Sequence, residues 1–140
     1  MDTSFISELN WLAIGVAAVA YFMLGALWYT KIGFGKQWIK ATGIDPDAPG
    51  AKDGAGGIMF ITFILEFFIC IGIAILAYRL VLVGGVMSGI KLGLLTGGLI
   101  AVPVTLISYL YESKVKSLGL INAGYHLMGN IIAAVIICIW

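Results

Sequence analysis

Residues 121–130, Ile-Asn-Ala-Gly-Tyr-His-Leu-Met-Gly-Asn, set Asn122, His126 and Asn130 into a longer segment, 118–140, that holds no Lys, Arg, Asp or Glu. On a helix these three polar residues, spaced four apart, form one stripe. The 23 residues of the segment would extend about 35 Å as a helix, enough to cross the roughly 30 Å hydrocarbon core of a bilayer. Polar groups in hydrocarbon are costly unless they meet a partner. The stripe therefore has to face protein, water or a ligand, and the rest of the chain has to supply it.

The composition carries the membrane reading beyond this one segment. Of the 140 residues, 61% are hydrophobic and 11% charged, with a mean hydropathy of +1.08, whereas soluble domains carry about 25% charged residues. A net charge of +1, from eight Lys and Arg against seven Asp and Glu, leaves no basic surface for nucleic acid. Cys70 and Cys138 stand in no CxxC motif and no Cys/His cluster with metal-ligand spacing, so neither a metal nor a cofactor is expected. The single histidine, His126, would need a second axial ligand from elsewhere to hold a haem.

Outward from the quoted stretch, four spans emerge: about 9–30, 58–83, 86–111 and 118–140, an all-α integral membrane protein forming one membrane domain. Trp11 at one end of the first span and Trp28 and Tyr29 at the other fit interfacial aromatics. The first span is expected to be retained, because the residues before it carry Asp2 and Glu8 but no basic residue, unlike a cleaved signal peptide. Gly84-Gly85 marks a tight turn. Gly89, Gly93 and Gly97 form a small-residue ridge for close helix packing. Pro103 lacks a backbone donor and leaves the Leu99 carbonyl without its helical partner, which predicts a kink. The loop 31–57 begins with an amphipathic piece, 32–40, suited to the membrane interface, and continues through turn formers. Lys31, Lys36, Lys40 and Lys52 in that loop and Lys114 and Lys116 in the connection 112–117 outnumber Arg79 and Lys91 on the other side. The positive-inside rule then puts both charged loops in the cytoplasm and both termini outside.

With that topology Glu66, eight residues into the second span, and His126, about nine into the fourth, lie at similar depth, roughly 12–14 Å from the cytoplasmic side. Thr62, Glu66 and Cys70 share one helical face. A carboxylate in hydrocarbon is expensive, so Glu66 should be protonated or paired with a cation such as protonated His126. The candidate site is thus Glu66, His126, Asn122 and Asn130. Two functions fit it: a channel-like or transporter-like protein for protons or small solutes, or a structural or accessory membrane protein in which these residues are interhelical glue. An enzyme ranks behind both, since no nucleophile with a base, metal cluster or phosphate loop is visible. The expected partners are the lipid bilayer, further copies of the chain in a homo-oligomer, and a protein docking on loop 31–57.

The segments Asn-Trp-Leu-Ala-Ile (10–14), Gly-Ala-Leu-Trp-Tyr (25–29), Phe-Gly-Lys-Gln-Trp-Ile-Lys (34–40) and Ile-Asn-Ala-Gly-Tyr-His (121–126) together resemble the landmarks of a family of small, four-span bacterial membrane proteins classed as a domain of unknown function. The resemblance covers almost the whole chain. It implies a multi-pass protein of the bacterial inner (plasma) membrane, and it carries over no catalytic residue.

Overall fold

A computed structural model describes residues 4–46, 48–82 and 84–140. Asp2, Asp47 and Val83, which the sequence reading counts in the N-terminus, the loop and the end of the second span, lie outside them. The described residues are helical, without strands, and four helical runs are long and apolar enough to cross a membrane: Trp11–Trp28, Ala55–Arg79, Val86–Tyr111 and Lys116–Ile139. These are α1, α3, a composite third span and α6. The composite span joins α4 (Val86–Gly93) to α5 (Val102–Tyr111) through a π-helical stretch, Leu94–Ala101, and a short amphipathic helix, α2 (Gly35–Thr42), fills part of the long loop.

α6 is the most buried of the four spans and packs against α1, α3, α4, α5 and the π stretch. Its contact with α4 is the closest, because Gly89 and Gly93 press onto its backbone, where a Cβ would overlap Val135 or Ile131, and Gly97 in the π stretch continues the ridge, tight against Leu127 and Asn130. Without side chains on the ridge, the two helices approach until backbone meets backbone, which is how small residues substitute for a hydrophobic driving force in lipid.

The residues before Pro103 widen into five-residue hydrogen-bond spacing, with Val102 N–H donating to the Gly97 carbonyl. Pro103 supplies no N–H at the junction where spacing returns to four, so the break in the ladder is spread over the preceding turns. Hydroxyls tie back to nearby carbonyls on both sides, Thr96 to Leu92 at 3.0 Å and Thr105 to Ala101 at 2.8 Å.

One end of the bundle gathers the N-terminal turn Ser4–Glu8, the end of α3 and the end of α6. There Phe5 stacks on Tyr78 with its ring 4.1 Å from the Arg79 guanidinium, Tyr78 donates to Glu8, and Gly85 N–H donates to the Cys138 carbonyl. At the other end the chain reverses tightly after α1, with Phe34 N–H on the Trp28 carbonyl at 2.7 Å. Gly33 and Gly35 permit this, since a Cβ on either would run into the preceding carbonyls. The reversal brings α2 against α6 and Trp38 against Tyr29.

Candidate functional site

Every member of the polar stripe on α6 meets a tyrosine. Asn122 Oδ1 accepts from Tyr29 Oη, at the C-terminal cap of α1, at 2.8 Å, and its Nδ2 donates to Tyr109 Oη of α5. One amide thereby joins three helices. His126 Nδ1 lies 2.9 Å from Tyr21 Oη, and Asn130 Nδ2 donates to the same phenol oxygen at 3.1 Å and to the His126 carbonyl at 2.8 Å. Tyr21 Oη is also 3.3 Å from the His126 carbonyl. With Asn130 donating into Oη, the phenol proton is directed to His126 Nδ1 or to that carbonyl, so the hydroxyl can serve either protonation state of the ring.

These contacts depend on local sequence. Tyr21 is fully buried in the middle of α1, and its ring lies flat on Gly129, where any Cβ would fall inside it. Gly25 similarly leaves room for the Tyr125 hydroxyl, 3.0 Å from where a Cβ would stand. Gly129 on α6 and Gly25 on α1 are thus the sockets through which aromatic side chains reach the polar layer.

Glu66 is 2% exposed, on the buried face of α3 with Cys70, Ile73, Ala74 and Ala77. Its partner is Tyr125, not the expected cation His126: Tyr125 Oη donates to Oε1. The other carboxylate oxygen, Oε2, is buried with no hydrogen-bond partner among the described residues. Lys114 pairs with Glu112 on the exposed turn between α5 and α6.

Glu66 and His126 nevertheless share a space. Both line a cleft of about 670 Å³ between α1, α3 and α6, with Tyr29, Thr30, Thr62, Asn122 and Tyr125 as its other polar groups and Phe22, Ile58, Met59, Leu65 and Ile69 among its apolar walls. Asn130 lies outside it, lining a separate apolar groove with Thr96 and Gly72. The four proposed site residues are therefore divided: Glu66, His126 and Asn122 border one cleft, and Asn130 positions Tyr21 behind it. The tyrosines are what sequence reasoning missed. Tyr29 reads as an interfacial aromatic, and Tyr125, next to His126, projects about 100° around the helix from the stripe.

No curated protein and no solved structure matches the chain. A family model does, over residues 12–138, a range that contains every residue of the cleft. The chain belongs to the family described as protein of unknown function (DUF1761).

Proposed function

We propose that this is a transporter-like or channel-like protein of the bacterial inner membrane, handling a proton or a small solute at the cleft bordered by Glu66 and His126. The observation that carries this reading is the Glu66 carboxyl, buried at mid-span with one oxygen tethered by Tyr125 and the other unsatisfied, on the wall of a cleft large enough for a small molecule. A group needed only for adhesion would have both oxygens engaged, since an unmade hydrogen bond in hydrocarbon is a cost with no return. Both termini lie outside and the loop 31–57 in the cytoplasm, by the distribution of Lys and Arg. The long apolar surface of the four spans is covered by lipid and by further copies of the chain, and loop 31–57 offers a docking segment for a protein partner.

The second reading, interhelical glue, is favoured for part of the same layer. Asn122 binds tyrosines of two other spans and Asn130 holds Tyr21, so these two amides act as adhesives while Glu66 and His126 act at the cleft.

Reconstitution in proteoliposomes tests the assignment. A flux of protons or solute above that of empty liposomes is expected, lost on Glu66→Gln and reduced on His126→Ala. Flux in Glu66→Gln equal to that of the unmutated protein, or none in either, overturns it.

A further inference from the structure

We propose that the cleft takes a small organic cation, a protonated or quaternary amine with an apolar body, whose charged head displaces the proton from the Glu66 carboxyl. This rests on the reading of Glu66 as a working group and names what it works on.

The sign of the site comes first. No Lys or Arg lines the cleft. The titratable groups around Glu66 are Tyr21 of α1, Tyr29 at its C-terminal cap, Cys70 of its own helix, and Tyr125 and His126 of α6. None of them carries a permanent positive charge, and His126 is already engaged by Tyr21. An anionic solute would meet no counter-charge here and would face a carboxyl group.

The walls then narrow the class. A divalent cation that sheds its water needs about six oxygen ligands. The cleft offers fewer, because Asn122 is held by two tyrosines and the Thr62 hydroxyl is turned back to the Ile58 carbonyl at 2.9 Å. A polyol would leave its hydroxyls unpaired against Phe22, Ile58, Met59, Leu65 and Ile69. An alkyl or aryl ammonium matches on each count. Its body suits those side chains, its charge can lie near the aromatic faces of Phe22, Tyr29 and Tyr125, and its head neutralises Glu66. The volume, about 670 Å³, is that of a small-molecule pocket.

Charge balance makes this an exchange. A bare carboxylate at this depth is costly, so the empty site holds a proton and the filled site a cation. When the ammonium enters, the carboxyl O–H bond breaks, its electron pair stays on Glu66, and the proton leaves to water.

The test is titration of the purified protein in detergent with benzyltrimethylammonium, followed by calorimetry and by a pH indicator in weak buffer. Saturable binding with about one proton released per cation is expected, weakening about tenfold for each unit of falling pH where the carboxyl is protonated. Glu66→Gln should weaken binding at least tenfold, while benzenesulfonate, a similar aryl anion, should not compete. Absence of binding, equal binding by Glu66→Gln, or competition by the sulfonate overturns the proposal. Should Glu66→Gln not fold, proton release by the unmutated protein decides: pH-independent binding without it overturns the assignment. Cation binding at Glu66 without flux in proteoliposomes would remove the transport reading and leave the ligand standing. Glu66-dependent proton flux without cation binding would remove the ligand alone.

Discussion

Gly129 gives Tyr21 its place, and through Tyr21 it fixes His126 and Asn130. A single methyl group added there has nowhere to go, because the ring it meets is itself fully buried. Gly129→Ala is therefore expected to destabilise the fold by about 3 kcal/mol, seen as an early midpoint in unfolding by denaturing detergent. Tyr21→Phe keeps the ring and removes only the hydroxyl. Asn130 retains its bond to the His126 carbonyl, so the expected loss is about 1 kcal/mol, with a larger effect on any Glu66-dependent flux than on stability. At this scale the sequence disclosed half of each contact. The polar stripe announced that partners were needed, but which aromatic rings answer it depends on how α1 and α6 rotate against each other, and that rotation is set by glycines whose role becomes plain only once the helices are packed.

The third span shows the same limit at the scale of an element. Its ridge of glycines was legible, since small residues four apart have one obvious use in lipid, though the sequence could not say that the partner is α6. Gly93→Ala should force α4 from α6 and cost about 2–3 kcal/mol. Gly15→Ala, where a Cβ meets nothing within 4 Å, should stay within about 0.5 kcal/mol of the parent; the two midpoints measured side by side check the contrast. The π stretch was not legible. Pro103 predicts a missing donor but not how the preceding turns accommodate it, and here they widen where Gly97 packs on the α6 backbone. Pro103→Ala restores an N–H at the junction, and amide hydrogen exchange at residues 98–104 should become slower as the added donor captures a carbonyl.

For the molecule as a whole, hydropathy was enough to find four spans because crossing a bilayer is set by length and apolar content alone. Orientation follows a different rule, the distribution of basic residues, and makes its own prediction. With Cys70 and Cys138 replaced by Ala, a cysteine at Gly54 should react with a membrane-impermeant thiol reagent only after cells are opened; labelling of intact cells would reverse the proposed topology. The cleft has a further consequence in that setting. Its walls include Ile58, Met59 and Leu65, each more than half exposed on the outer surface of α3, a surface that hydrocarbon tails cover in a bilayer. On the proposed reading, a route to Glu66 then opens sideways from the lipid, between the helices that border the cleft. A ligand's concentration at that doorway is its concentration in the lipid, so across a homologous series of amines the apparent affinity, referred to water, should climb with each added methylene in step with partition into the bilayer.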